Sequence, residues 1–203
     1  MKIICIGRNY VDHAKELNNP IPTEPVFFLK PETALLPKNN PFVYPSFSKN
    51  VQHEVEIVIR INRVGKHIEE KFAHKYFNEI GIGVDFTARD LQQECKEKGL
   101  PWEKAKAFDS SAPTSKFVKI DQFEDINNLN FSISINGEVK QQGNTKNMLF
   151  NFDQIITYVS KFFTLKIGDI IYTGTPAGVG PVKINDKIQC FIEDKKMLGF
   201  NVK

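Results

Sequence analysis

The sequence predicts a β-rich α+β fold, and three observations carry that expectation. Strand-like segments dominate and are separated by short helices and proline-bearing loops. Asn136-Gly137 follows the alternating Phe131, Ile133 and Ile135, the signature of a two-residue hairpin whose turn positions both need positive φ. Few helices interleave with the strands, which argues for mostly antiparallel pairing and against a βαβ nucleotide fold. At 203 residues, 41% hydrophobic and 25% charged, the chain fits one domain spanning residues 1–203 with a sizeable core.

Lys2 to Ile6 reads as the first strand, too short for the apolar region of a signal peptide or for a membrane span. A short helix follows Asn9, with Asp12 as its capping-box partner. Val26 to Lys30 is a strand inside a stretch punctuated by Pro20, Pro22, Pro25, Pro31, Pro37, Pro41 and Pro45, which keep the surrounding chain in extended loop. Strands at His53 to Ile59 and Ile80 to Asp85 come next. A second helix begins after Thr87, whose hydroxyl is placed to cap it while Asp90 reaches back. Its apolar stripe is Ala88, Leu91 and Cys95, and Gly99 and Pro101 stop it. The hairpin pairs Phe131 to Ile135 with Gly137 to Gln141. A third helix follows Asn151 and buries Phe152, Ile155, Ile156, Val159 and Phe163 at helical spacing. Strands at Asp169 to Tyr172, Lys187 to Ile192 and Leu198 to Val202 complete the chain.

A net charge of +3, with lysines scattered among acids, argues against a nucleic-acid partner. Cys5, Cys95 and Cys190 are odd in number, far apart and without a C-x-x-C pair, as expected of buried free thiols in a reducing cytoplasm.

In the strand His53 to Ile59, Val55, Ile57 and Ile59 share one face, and Glu54 and Glu56 share the other, roughly 7 Å apart. Two such carboxylates describe either a solvated acidic face or a site where a cation relieves their repulsion. Asp85 ends a segment whose Gly81 and Gly83 lie on its own face and leave space beside it. With Glu54 and Glu56 it makes an all-oxygen set suited to Mg²⁺ or Mn²⁺. Zinc is disfavoured, because no Cys or His pair has ligand spacing. His13 and Glu16, three apart on the first helix, form either a surface pair or a carboxylate-oriented general base. Arg89 and Gln92 repeat that spacing on the second helix, placed to hold a carboxylate or simply solvated. Thr173 to Pro181 is a glycine-rich loop whose N–H groups can approach an anion closely, but it lacks the P-loop ending, so ATP is not implied.

Read in order, Gly7-Arg8-Asn9-Tyr10 with Asp12-His13, Phe28-Leu29-Lys30-Pro31, His53-Glu54-Val55-Glu56, Asp85-Phe86-Thr87-Ala88-Arg89-Asp90, Lys104-Ala105-Lys106 and Thr173-Gly174-Thr175-Pro176 resemble the fumarylacetoacetate hydrolase family across nearly the whole chain. The short length and the run Gly99-Leu100-Pro101-Trp102 through Lys106 resemble its acylpyruvase and oxaloacetate decarboxylase branch. The resemblance implies a mixed-sheet β-roll of the family's C-terminal domain type, a homodimer, and a Mg²⁺ or Mn²⁺ site built from Glu54, Glu56 and Asp85. It further implies a His13/Glu16 pair on a lid running on toward Asn18, Asn19 and Pro20, Lys106 as a charged partner, and Arg89, Gln92 and Thr175 as contacts to a small 2-oxo or 2,4-dioxo acid. The activity implied is cleavage of a C–C bond in short acylpyruvates, or decarboxylation of oxaloacetate, through a metal-stabilised pyruvate enolate. The same site would also suit a tautomerase moving a proton between keto and enol forms, and a non-catalytic metal-binding domain is the remaining alternative.

Overall fold

A computed structural model describes residues 1–16, 20–38 and 40–203. Asn18 and Asn19 of the expected lid lie outside the described residues. In chain order the strands are β1 (Ile3–Gly7), β2 (Val26–Lys30), β3 (Val51–His53), β4 (Val55–Ile61), β5 (Phe77–Val84), β6 (Thr87–Ala88), β7 (Val118–Lys119), β8 (Asn130–Ile135), β9 (Glu138–Asn144), β10 (Ile170–Tyr172), β11 (Gly180–Pro181), β12 (Lys187–Ile192) and β13 (Lys195–Asn201). The α-helices are α1 (Val11–Glu16), α2 (Glu70–Ala73), α3 (Arg89–Lys98), α4 (Glu103–Lys106) and α5 (Phe152–Phe162).

Among the described residues three sheets form: β2-β1-β10-β4-β5-β7, β11-β3-β6 and β13-β12-β8-β9. Pairing is antiparallel except between β1 and β10, so the first sheet is mixed. The result is the β-rich α+β fold that the sequence predicts. The period-two pattern explains its core. Ile4 and Ile6 of β1, and Val55, Ile57 and Ile59 of β4, join Ile133, Ile188, Cys190 and Ile192 of the four-stranded sheet in the main cluster. Ile3, Cys5 and Val58 point the other way, into a smaller cluster with Ala112, Ile170 and Tyr172. The three cysteines are buried and free. Among the described residues, no helix is long and apolar enough to cross a membrane.

The third helix has the expected cap: Asn151 Oδ1 accepts from Gln154 N at 2.9 Å while Gln154 Oε1 accepts from Asn151 N at 3.0 Å. Asn136 and Gly137 both take positive φ, 54° and 88°, as the hairpin requires.

Two other helix starts differ from expectation because tertiary partners take the capping groups. Asn9 does not cap α1. Its amide donates to Phe150 O at 3.0 Å and Thr173 O at 2.8 Å and accepts from Phe150 N at 2.8 Å, which ties β1 to two distant loops. At α3 the Thr87 hydroxyl contacts Asp85 O at 3.4 Å, and Asp90 accepts from Ser48 Oγ at 2.6 Å and Lys49 N at 2.8 Å, so neither residue closes a capping box.

The predicted strand His53 to Ile59 is two strands. It breaks at Glu54, where β3 leaves for the three-stranded sheet and β4 enters the six-stranded one. The space beside Gly81 and Gly83 is also not left for a ligand. A Cβ on Gly83 would lie 2.4 Å from Tyr172 Oη, and one on Gly81 would lie 2.9 Å from Ser115 Oγ. The glycines admit protein side chains behind the site.

Candidate active site

Glu54 and Glu56 are buried, 5% and 1% exposed, which rules out a solvated acidic face. The backbone explains why Asp85 joins them. Antiparallel pairing of β4 with β5 sets Val55 opposite Val84 and Glu56 opposite Gly83. Asp85, the next residue, donates its N–H to Glu54 O at 2.8 Å. One oxygen from each of the three carboxylates lies within 4.8 Å of the others.

Three charges this close need compensation. Lys106, from α4, donates to Glu54 Oε2 at 2.7 Å and to Asp85 Oδ2 at 2.8 Å. Arg89, at the start of α3, donates to Glu54 Oε1 at 2.6 Å, to Gln92 Oε1 at 2.6 Å and to Gln52 Oε1 at 2.9 Å. Burial alone would raise the Glu54 carboxyl, but Lys106 and Arg89 outweigh it and hold that group well below the usual carboxylate range. Burial likewise works against the Lys106 ammonium, and Asp85 and Glu54 reverse the effect and raise its pKa.

Glu56 is treated differently. Among the described residues no cationic side chain pairs with it, and its partner is the Gly174 N–H at 2.7 Å. Burial first, then the neighbouring charges of Asp85 and Glu54, push its carboxyl well above the ordinary range. The Thr173 to Pro181 loop therefore turns an N–H toward a carboxyl oxygen of the protein itself. Gly174 takes φ +101°, and a Cβ there would lie 2.5 Å from Asn9 Cβ, so only glycine allows this approach. Further along the same loop, Gly178 N donates to Glu16 Oε1 at 3.0 Å. The other Glu16 oxygen meets His13 Nδ1 at 3.2 Å. A carboxylate can only accept here, which assigns the proton to Nδ1 and leaves Nε2 of the buried His13 as the basic nitrogen.

Every expected site residue except Glu16 lines one small pocket of about 40 Å³: His13, Glu54, Glu56, Asp85, Arg89, Gln92, Lys106 and Thr175. Glu16 stands behind His13. Phe28 and Trp102, with ring centroids 6.5 Å apart, supply apolar lining. The Thr175 hydroxyl donates to Val55 O at 2.8 Å and accepts from Gln141 Nε2 at 2.7 Å, so it faces the protein on both counts. A larger cavity of about 490 Å³ beside His53, Lys140 and Lys183 holds none of these residues.

Two contributors carried no role in the sequence reading. Lys30, at the end of β2, has a fully buried side chain; its Nζ lies 2.8 Å from Asp85 Oδ1 and donates to Ser111 Oγ at 2.9 Å and to Lys106 O. A lysine closing an apolar strand before a proline was its available signal. Gln141, in β9, accepts from Val55 N at 3.0 Å, contacts His53 Nδ1 at 3.1 Å and donates to Thr175 and Pro176, bracing β4 against the glycine loop. Nothing in its local sequence marks it.

The donor set fits a hard divalent cation: three buried carboxylates, one of them without a cationic partner. Asp85 Oδ1 is ion-paired with Lys30 Nζ at 2.8 Å, so of the three carboxylates Glu56 is the one that lacks a cationic partner among the described residues.

The chain is 46% identical over 201 residues to oxaloacetate tautomerase FAHD1, mitochondrial, of Mus musculus, covering 99% of this chain and 91% of the mouse protein. It is 45% identical to oxaloacetate decarboxylase, mitochondrial, of Dictyostelium discoideum, covering 94% and 88%. Among solved structures, fumarylpyruvate hydrolase from Pseudomonas aeruginosa in complex with Mn²⁺ and pyruvate superposes with a TM-score of 0.93 at 33% identity, over 100% of this chain and 89% of that one. The family model for the C-terminal region of fumarylacetoacetate hydrolase matches residues 2–202, and the chain belongs to that family.

Proposed function

We propose that this chain, acting as one catalytic unit, interconverts keto and enol forms of oxaloacetate or a closely related short 2-oxo dicarboxylic acid in a divalent-metal-dependent reaction. The observation that carries the reading is the three-carboxylate floor facing a carboxylate-oriented imidazole in a pocket on the scale of a few water molecules. The tautomerase name of the mouse relative supports this choice of reaction. When bound by Glu54, Glu56 and Asp85, Mg²⁺ or Mn²⁺ would supply positive charge that polarises a 2-oxo group and favours its enolate.

The other roles belong to the chain. His13 Nε2 carries the proton between the carbon beside the 2-oxo group and the oxygen of that group, so that loss of the C–H proton is matched by gain of the enol O–H, while Glu16, fixed by the Gly178 N–H, orients the ring. Lys106 holds Glu54 and Asp85 in place and offsets negative charge developing above them. Phe28 and Trp102 exclude water from one side of the pocket, which strengthens each of these interactions.

C–C cleavage, either decarboxylation of oxaloacetate or hydrolysis of an acylpyruvate, is the second reading, because it passes through the same enolate. The Dictyostelium decarboxylase and the Pseudomonas hydrolase favour it. The two readings differ in product. Oxaloacetate, acetylpyruvate and fumarylpyruvate are each assayed with Mn²⁺ for loss of enol absorbance and for pyruvate. Rapid enol loss without enzyme-dependent pyruvate supports the tautomerase; stoichiometric pyruvate supports cleavage; neither signal on any acid leaves a non-catalytic metal-binding domain.

The expected homodimer belongs to the same proposal, with light scattering as its measurement. So does the cytoplasmic location, against which stand the mitochondrial names of the mouse and Dictyostelium relatives.

A further inference from the structure

We propose that Arg8 and Lys96 form a subsite for a second, distal carboxylate, so that the pocket selects dicarboxylic acids over otherwise identical acids with a single carboxylate. This rests on the reading that the pocket holds 2-oxo acids and adds to it the residues that set chain-end specificity.

The lining contains four cationic side chains, Arg8, Arg89, Lys96 and Lys106. Arg89 and Lys106 are paired with Glu54 and Asp85. Arg8 and Lys96 have no carboxylate within ion-pairing distance among the described residues. The lining cations thus outnumber the carboxylates before any metal is added. A cation at a pocket wall with no anion of its own is a place for the anion of a ligand.

Helical periodicity puts Lys96 there. Arg89, Gln92 and Lys96 fall at i, i+3 and i+7 of α3, one face of the helix, and all three line the pocket. Lys96 lies about 10 Å along the axis from Arg89, which already engages the floor, and long helical side chains lean back toward the N-terminus. Its ammonium therefore reaches toward the pocket from the mouth and lies 6.0 Å from the Trp102 ring. Lys96 is exposed, yet partial desolvation against the pocket wall first, then repulsion from Arg8 and Arg89, lowers its pKa, which marks a locally positive field.

Arg8 comes from the opposite side, in the turn between β1 and α1. It holds φ at 59°, a left-handed conformation that residues other than glycine adopt seldom and that surrounding structure must impose. Its neighbour Asn9 supplies that restraint through its three hydrogen bonds to the Phe150 and Thr173 backbone.

The test compares L-malate with L-lactate, which share a 2-hydroxy acid and differ in the second carboxylate. Their affinities for the Mn²⁺-loaded protein are measured by calorimetry for wild type, Lys96→Met and Arg8→Met, with circular dichroism confirming the fold. The wild type is expected to prefer malate. Each variant is expected to lose about tenfold in malate affinity, the scale of one charge-assisted hydrogen bond, with lactate affinity unchanged. Lys96 is an exposed helix position, so its variant remains informative if Arg8→Met fails to fold.

Unchanged malate binding, or an equal loss for malate and lactate, overturns the subsite. So does a wild type that binds malate no better than lactate, or not at all; if that wild type still turns over oxaloacetate, the subsite alone is removed. A wild type that prefers malate but leaves enolic oxaloacetate untouched keeps the subsite and removes the catalytic reading.

Discussion

On the α3 and α4 side of the pocket carboxylates are met by cations, whereas on the glycine-loop side they are met by backbone amides. Glu54 and Asp85 are held by Arg89, Lys106 and Lys30. Glu56 and Glu16 are held by the N–H groups of Gly174 and Gly178. The consequence is electrostatic. A paired carboxylate stays ionised and fixed, as Glu54 does, whereas one held by a single amide beside like charges resists ionisation, as Glu56 does. On the proposed reading the cation side would act as scaffold, and the amide side would be where an arriving metal gains most.

The largest effect should come from Glu56→Gln, which keeps shape and removes charge on the amide side. Mn²⁺ binding by calorimetry should be lost, and kcat/KM for oxaloacetate should fall on the order of 10³-fold or more, several kcal/mol, while the metal-free protein melts no lower than wild type. A variant that retains Mn²⁺ would erase the contrast between the two sides. Next comes Lys30→Met on the cation side, which leaves Asp85 Oδ1 buried without its ion pair while Lys106 still holds Oδ2. Urea unfolding should show a loss of about 3–5 kcal/mol, and a loss below 1 kcal/mol would mean Lys106 alone suffices.

His13→Ala should cost on the order of 10² in kcat with Mn²⁺ affinity retained; a near-wild-type rate would take His13 out of the proton transfer.

The smallest effects are those of pH. Glu56, raised in the native state, must lose its proton to ligate a cation, so Mn²⁺ affinity should rise with pH and binding should release protons to buffer. Glu54 has the opposite sign. Its lowered native pKa adds stability above its ordinary 4.5, and that stability is lost as pH falls from there toward the lowered value. Calorimetry in buffers of different ionisation enthalpy checks the first, and acid unfolding of wild type against Glu54→Gln checks the second.

The strands that build the site were legible because burial follows period two. Val55, Ile57 and Ile59 marked the core face of β4, and their spacing made Glu54 and Glu56 neighbours. The hairpin at Asn136-Gly137 and the helix after Asn151 were legible because their turn and cap chemistry is local. What stayed hidden depends on partners far along the chain. The break at Glu54 follows from pairing with two different sheets, and the groups expected to cap α1 and α3 were taken by Phe150, Thr173, Ser48 and Lys49. Lys30 and Gln141 could not be assigned from their neighbours, because their partners lie in other elements. The glycine loop offers N–H groups that an anion could approach, and in the fold the Gly174 N–H meets the Glu56 carboxyl of the protein itself, a partner far away in sequence. The ordered set of motifs across the chain, more than any one spacing, identified the carboxylate floor.

Metal-dependent enol chemistry is tested most directly by following the loss of enolic oxaloacetate with protein stripped by EDTA, and then with Mn²⁺ restored. The stripped protein should leave the enol decaying at the buffer rate, and Mn²⁺ should restore rapid conversion above the rate of Mn²⁺ alone. Equal acceleration by the stripped and the Mn²⁺-restored protein, or none in either, would contradict the assignment of Glu54, Glu56 and Asp85 to this reaction.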